Sequence, residues 1–416
     1  MNKRHILLLL LFLFLPILLF GCKAKTVYEL PEIIAEDASV YGITETNLST
    51  KEKLEDFNYI YELLKSDYPF FEVNERIYGV DWLNNKDLYE EIIKSTKNDA
   101  EFLVAMYGIL DELNNPHTNI CEGVGFTYLY TYYYTDYNPY GLFEYFDAFN
   151  DPVVLERYNP TTENFASDNA SPIIQENYKL DIINDNSIYI KINEMAPYDQ
   201  AIRESQIIKN FIEESSKSDK LIIDIRGNYG GNDGYWQEIV RCLIDEMVEV
   251  KYPTLFKEDI REDYDMFYIE NLTPIEEIKS ELLNRTVKDT NNCKYYKTQS
   301  VRLFPSQDKN IDFNGKVYLL IDSGVFSSSE KFASFAKDSG FATLIGETTS
   351  GDRVFEHIPI DYLPNSGLIF RYSREMGINV DGTINMETRT TPHIEVDPTP
   401  NDDYTKDLCI MTALED

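Results

Sequence analysis

Histidine, cysteine and tryptophan are scarce in this 416-residue chain, with four, five and two copies respectively. After Cys22 the cysteines are Cys121, Cys242, Cys293 and Cys409, and no two form a C-x-x-C pair. That spacing argues against a zinc knuckle or a thioredoxin-type redox site. It leaves open whether they pair as disulfides or stay as buried thiols. The chain has no G-x-G-x-x-G and no G-K-[ST], so no nucleotide-phosphate loop is marked. No metal cluster, cofactor motif or internal repeat is visible, and no cofactor is expected. Basic residues are also in deficit: 38 Lys and Arg stand against 72 Asp and Glu, a formal charge of -34. Such a field repels polyanions and excludes nucleic acid as a partner. Acidity alone names no substrate; it suits solubility at a cell surface.

Long apolar runs are absent except at the start. Lys3 and Arg4 precede Ile6–Phe20, which only Pro16 interrupts. The run is short for a membrane-spanning helix and suits the core of a signal peptide. It ends in Leu19-Phe20-Gly21-Cys22, which resembles the lipobox of bacterial lipoproteins. The resemblance implies removal of residues 1–21 and lipidation (palmitate) of Cys22. The chain would then be held on the extracytoplasmic face of the cell membrane without spanning it. A plain cleaved signal with an incidental cysteine is the competing reading.

With 43% hydrophobic residues, the remainder can build a sizeable core. Residues 22–48 are polar and aperiodic, as a tether is. Ser49 and Glu52 form a capping box, and Leu54, Phe57, Tyr61 and Leu64 follow at helical spacing. Pro69 ends that helix. Further helices are expected over Lys86–Thr96 and from Asp99, the latter ending at Asn114-Asn115-Pro116. Residues 49–118 therefore read as a helical bundle. Residues 119–177 are Tyr-rich, with Tyr128, Tyr130, Tyr132, Tyr133, Tyr134, Tyr137 and Tyr140 crowded together. They suit an aromatic strand pair packed on the bundle, or a sticky wall for a peptide or glycan.

From residue 178 to 416 strands alternate with helices. Ser187–Asn193, Leu221–Ile225, Val317–Ile321 and Ala342–Ile345 read as strands, and Ala201–Glu214, Trp236–Met247 and Ser328–Lys337 as helices. This alternation predicts an α/β core with mainly parallel strands. Residues 250–315 read as a polar insertion.

Three places carry chemistry. Asp224-Ile225-Arg226-Gly227-Asn228-Tyr229-Gly230-Gly231 follows a buried strand, and its paired glycines let backbone N–H groups approach a ligand. Phe326-Ser327-Ser328-Ser329-Glu330 lies where a strand meets a helix, a position from which α/β folds present a nucleophile. Serines there also simply cap helices. Asn115-Pro116-His117-Thr118 sets a histidine just past a helix end, where a loop can aim it.

Taken together and in this order, these segments resemble the tail-specific and tricorn-core protease family. The likeness spans about residues 49 to 400. It includes Ile345-Gly346-Glu347-Thr348-Thr349-Ser350-Gly351 and Pro392-His393-Ile394-Glu395-Val396. It implies a helical bundle followed by a crotonase/ClpP-like α/β catalytic core, and a serine peptidase acting on peptide or protein substrates. Family order selects Ser327, three residues before Glu330, as nucleophile. The carboxyl-terminal processing branch keeps a Lys where this chain has Asp352. The tricorn-like branch uses a His and a distant Glu, which correspond here to His117 and Glu387, although Pro116 replaces the Ser beside that His. A carboxylate partner would raise the imidazole pKa. Gly230 or Gly231, with Ser328, would supply the oxyanion N–H groups. Asp224 and Arg226 read as structural ions that fix the turn.

Two other readings compete. Ser328-Ser329-Glu330-Lys331 matches the S-x-x-K of penicillin-recognising enzymes, without the companion S-D-N or K-T-G. A catalytically inactive, peptide-binding lipoprotein on a protease-like fold is the other. The anchor is tested separately: Cys22→Ser should abolish incorporation of radiolabelled palmitate, and continued labelling would rule out lipidation at this residue.

Overall fold

Ser49 starts the first helix, α1 (Thr50–Asp67), by a reciprocal capping box with Glu52. The computed structural model describes residues 38–131, 147–159, 177–257, 272–277, 292–307, 311–355 and 358–416. The leader, Cys22 and the tyrosines from Tyr132 to Tyr140 lie outside these residues. Behind α1 come α2 (Phe71–Tyr78), α3 (Lys86–Ser95) and α4 (Asp99–Asp111). Helix α2 lacks a side-chain cap and is only eight residues long, which is why its period is hard to see in the sequence. The apolar faces bury Phe57, Leu64, Trp82, Leu103 and Met106 in one cluster.

The first tyrosines of the Tyr-rich segment, Tyr128 and Tyr130, do not lie in a strand. Gly123–Thr131 is helical, and Phe126 and Tyr130 share a face at i, i+4 spacing. Phe126 stacks on Tyr158 with ring centroids 4.1 Å apart. Aromatic content favours strands only where side chains alternate across a sheet; here an apolar helical face decides.

The α/β half is built on a six-stranded sheet. In chain order its strands are β2 (Tyr178–Asn184), β3 (Ser187–Ile192), β4 (Lys220–Asp224), β8 (Lys316–Ile321), β9 (Thr343–Gly346) and β13 (Ile394–Glu395). The spatial order is β13-β9-β8-β4-β3-β2. All neighbours are parallel except β2, which pairs antiparallel with β3 at the edge. Leu221, Ile223, Leu319 and Ile321 face the helices Tyr198–Glu214, Asp233–Leu243 and Ser328–Ser339. Ile222, Tyr318 and Leu320 face the C-terminal helix Leu408–Glu415. Burial on both faces explains why these strands read as continuous apolar runs.

The segment 250–315, expected to be a polar insertion, instead contributes a second sheet. Strands β5 (Val248–Phe256), β6 (Thr273–Pro274), β7 (Tyr295–Leu303) and β12 (Met376–Gly377) form an antiparallel sheet in the order β12-β5-β7-β6. One face carries Val250, Tyr252, Val301 and Leu303 into the main core, while the polar residues alternate outward. A third sheet ties the halves together. Strand β1 (Asn119–Ile120) pairs antiparallel with β11 (Ile369–Arg371), which pairs with β10 (Ile360–Tyr362). Ile369, Phe370 and Tyr372 are buried in the bundle's own core, so the bundle is completed by the C-terminal half of the chain.

A buried ion pair adds to that union. Arg157 Nη1 donates to Asp99 Oδ2 at 2.8 Å, Nη2 to Thr46 Oγ1 at 2.6 Å and Nε to the Ser366 carbonyl. Both charged side chains are almost fully enclosed. Removing one member strands the other charge in low dielectric. Arg157→Ala should therefore lower the unfolding free energy by about 3–5 kcal/mol, read by urea denaturation.

Candidate active site

Three distant segments meet at one imidazole. His117 Nε2 lies 3.0 Å from Ser327 Oγ, and His117 Nδ1 lies 2.7 Å from Asp352 Oδ2. The ring is 4.4 Å from that of Phe326, measured between centroids.

Each position has a local cause. The His117 N–H donates to Asn115 Oδ1 (2.9 Å), which curls the loop at the end of α4. Two residues on, β1 pairs with β11 and fixes where that loop points. Ser327 sits between β8 and the helix Ser328–Ser339, with φ 57° and ψ -118°. A non-glycine residue there stores about 1–3 kcal/mol of strain. The turn is clamped by its neighbours: Lys331 N donates to the Ser327 carbonyl (2.9 Å), and Ser329 N to the Phe326 carbonyl (3.1 Å). Ser327 does not use its hydroxyl as a helix cap; that oxygen faces His117 instead.

Asn228, at the Gly-rich turn, organises the other wall. Its Oδ1 accepts from Ser329 Oγ (2.6 Å) and Gly230 N (3.0 Å), and its Nδ2 donates to the Ile192 carbonyl (3.1 Å). The sequence places Asn228 in the Gly-rich turn without giving it a role, although an Asn before a Gly pair is an Asx-turn signal. Gly230 and Gly231 have φ of 103° and 127°. A Cβ on Gly231 would stand 2.0 Å from the Met195 carbonyl oxygen, and one on Gly230 2.8 Å from Ser327 Cβ. The Gly230 N–H is already committed to Asn228. Among the described residues, Gly231 N and Ser328 N donate to no backbone or side-chain acceptor, and both line the cleft beside Ser327.

Glu387 is not at the imidazole. Arg76 holds it from α2, with Nη2 to Oε2 at 2.6 Å and Nε to Oε1 at 3.1 Å. The carboxylate that meets His117 is Asp352, for a geometric reason. Gly351 forms a bridge with Phe326, so the residue after it is delivered next to Ser327. Asp352 has φ 54° and is buried, and its Oδ1 accepts a long bond from Ser373 Oγ (3.4 Å). It stands where the processing branch resembled above keeps its Lys. That coincidence was the available signal.

The other candidates have structural partners. Asp224 and Arg226 form a buried network with Asp407, the Arg226 Nη2 contacts being 2.7 and 2.8 Å. Lys331 pairs with Asp233, and Ser328 Oγ is buried without a partner among the described residues, so the S-x-x-K residues do not face one another as a dyad. Glu330 is fully buried, receiving Thr390 Oγ1 (2.6 Å) and Asn385 Nδ2 (2.7 Å), and burial pushes its carboxyl up. His393 Nδ1 accepts from Leu344 N (2.9 Å). Cys121, Cys242, Cys293 and Cys409 are all buried. Among the described residues no three His, Cys, Asp or Glu side chains converge as a metal site, and no helix is long and apolar enough to cross a membrane.

Ser327 opens onto a cavity of about 500 Å³. His117, Tyr229, Lys331, Phe355 and Arg371 are among its walls. Burial lowers the His117 pKa, and this prevails over the Asp352 carboxylate, which pulls it up. The increase expected from a carboxylate partner is thus present but outweighed. The net direction disfavours imidazolium and favours the neutral ring.

The sequence profile of peptidase family S41 matches residues 186–396. Among solved structures, a protein from Parabacteroides merdae described as a candidate peptidase is 17% identical with a TM-score of 0.54, over 89% of this chain and 96% of that one. A mutant of CPAF is 14% identical with a TM-score of 0.54, over 88% and 98%. Mature CPAF complexed with lactacystin is 12% identical with a TM-score of 0.51, over 83% and 94%. At these identities the likeness establishes the fold. No curated protein sequence matches the chain.

The electrostatics are testable directly. In an NMR pH titration His117 should titrate below the ~6.5 of a free imidazole, and Asp352→Asn should lower it further by removing the negative charge that favours imidazolium.

Proposed function

The chain belongs to peptidase family S41, and from that premise we propose that it is a serine peptidase whose nucleophile, base and orienting acid are Ser327, His117 and Asp352. The observation that carries the reading is one buried imidazole bridging a serine hydroxyl at 3.0 Å and a carboxylate at 2.7 Å.

In this proposal each residue has a distinct role. Ser327 Oγ attacks the carbonyl carbon of the scissile peptide while His117 Nε2 takes the hydroxyl proton. The carbonyl oxygen becomes an oxyanion, held by the N–H groups of Gly231 and Ser328. The C–N bond then breaks, and His117 returns its proton to the departing amine. Water deprotonated by His117 attacks the acyl-enzyme and releases the acid and free Ser327. Asp352 keeps the proton of the neutral ring on Nδ1 and stabilises the imidazolium that forms. The backbone strain at Ser327 keeps its hydroxyl out of the helix-capping role and aimed at the base. The lipid-anchored, extracytoplasmic location belongs to this proposal and rests on the signal-like run Ile6–Phe20 and on Gly21-Cys22.

A fluorophosphonate should label the soluble form lacking the leader, and Ser327→Ala should abolish both labelling and peptide cleavage. Asp352→Asn should cut kcat by on the order of 10⁴-fold, as expected when the ring loses the partner that fixes its tautomer. Glu387→Gln, which only loosens a surface pair with Arg76, should change kcat less than about 3-fold. An absence of labelling in the folded wild type would favour the inactive peptide-binding reading. Equal losses in the two carboxylate variants would contradict the assignment of Asp352.

A further inference from the structure

The residue after Asp352 is a buried cation that the proposed mechanism leaves unused. Arg353 is 1% exposed. Its guanidinium meets neutral partners: Nη2 donates to the Ile378 carbonyl at 2.9 Å, Nη1 donates to Asn379 Oδ1 at 3.2 Å, and Cζ lies 3.8 Å from the centroid of the Tyr252 ring. Nε has no hydrogen-bond partner among the described residues. Burial pulls the guanidinium pKa below its usual value. A buried charge without an acidic partner costs desolvation energy that neutral contacts only partly offset, and an aliphatic side chain of similar length would fill the same space more cheaply. An arginine kept in such a place has something to hold.

Asp352 does not hold itself. Its φ of 54° is strained for a residue other than glycine. Beyond the 2.7 Å contact with His117, its carboxylate has one side-chain bond among the described residues, the long one from Ser373 Oγ (3.4 Å). Its aim is therefore set by the backbone on either side. On the N-terminal side Ser350 N donates to the Val325 carbonyl (2.9 Å), and Gly351 bridges to Phe326. On the C-terminal side Arg353 is fastened twice. Its backbone N–H donates to Asn385 Oδ1 (2.9 Å), and its guanidinium is seated on Tyr252 of β5. Ile378, which supplies the carbonyl, follows β12 directly, and its own N–H donates to the Pro253 carbonyl in β5 (2.8 Å). The ring and the carbonyl that grip the guanidinium are thus both tied to the second sheet.

We propose that Arg353 is a positioning residue: anchored on the second sheet, it holds the strained backbone of Asp352 so that the carboxylate meets His117. This rests on the reading of Ser327, His117 and Asp352 given above. The role calls for arginine and not for any cation. A planar guanidinium stacks on an aromatic face and donates to two acceptors in its plane, whereas an ammonium is a point charge. Exclusion of water strengthens the attraction to the ring. Positioning and simple electrostatics have opposite signatures at His117. A positive charge disfavours imidazolium, so loss of the Arg353 charge by its field alone would raise the His117 pKa. Displacement of the Asp352 carboxylate from Nδ1 would lower it. Arg371 and Lys331, the other charges acting on the ring, are untouched by either change.

The soluble form lacking the leader is assayed by its rate of inactivation with a fluorophosphonate and by NMR titration of His117. Arg353→Met should keep the fold, read by near-UV circular dichroism. It should slow inactivation roughly 10- to 100-fold, since a misplacement of about 1 Å can cost about 100-fold. His117 should titrate lower than in wild type. In an Asp352→Ala background the same substitution should change the rate less than about 2-fold, because the carboxylate it positions is gone. Arg353→Lys should restore little of the rate. Tyr252→Leu removes the stack and leaves Arg353 in place; it should act in the same direction by a smaller factor, and it serves as the second variant should Arg353→Met not fold. A folded Arg353→Met protein with an unchanged rate, an equal loss in both backgrounds, or a raised His117 pKa would overturn the positioning role. Failure of both Arg353→Met and Tyr252→Leu to fold would overturn it too, by reducing the arrangement to stability. The titration needs no catalysis, so it decides the role of Arg353 even if wild type takes no label, an outcome that counts against the Ser327 reading instead.

Discussion

Two residue pairs, Asn119 with Arg371 and Ile120 with Phe370, decide where His117 can be. The imidazole comes from the end of the helical bundle, whereas Ser327 and Asp352 come from the α/β half, 210 and 235 residues away in sequence. A two-residue ladder is weak by itself. It is made firm because Phe370 and Tyr372 are buried inside the bundle's own core. Sliding β1 by one residue would exchange the buried and outward faces of the strand and turn His117 away from the serine. In the proposed mechanism the bundle delivers the base, so its packing energy is coupled to the position of His117.

Opposing effects act on the proposed base. Burial disfavours imidazolium, and the Asp352 carboxylate favours it; burial wins in the resting state. During acylation the ring would become charged, and the same carboxylate 2.7 Å away would then stabilise it. The strain at Ser327 has a similar logic. A relaxed serine at that helix start would cap the helix with its own hydroxyl, and that oxygen would no longer face the base. Asn228 absorbs the local cost by tying Gly230, Ser329 and the Ile192 carbonyl into one buried knot.

Much of this was legible in the sequence. Ile188, Leu221, Val317 and Leu344 lie in strands because unbroken apolar runs between helical segments have few other solutions, and Ser49 and Glu52 announced α1 by capping chemistry. Ser327 and His117 came from motif order. Glu387 was misplaced because a carboxylate's partner is set by tertiary contact: in the fold it meets Arg76, more than 300 positions away. Asp352 was passed over because it replaced an expected lysine. A charged residue substituted at a functional position changes the chemistry there without making the position idle. The second sheet was missed since most of β7 is polar, with only Val301 and Leu303 buried, which reads as polar sequence. Arg353 carries no motif at all; only the fold shows that it lies on the Tyr252 ring.

The central claim is that a single buried, neutral imidazole activates Ser327. It is tested most directly by the rate at which a fluorophosphonate inactivates the protein as a function of pH. The account predicts a rate that rises with pH through one ionisation lying below the ~6.5 of free histidine, and loss of that ionisation together with most of the rate in His117→Ala. An inactivation profile that is unchanged in His117→Ala, or that rises only in the range where lysine deprotonates, would contradict it.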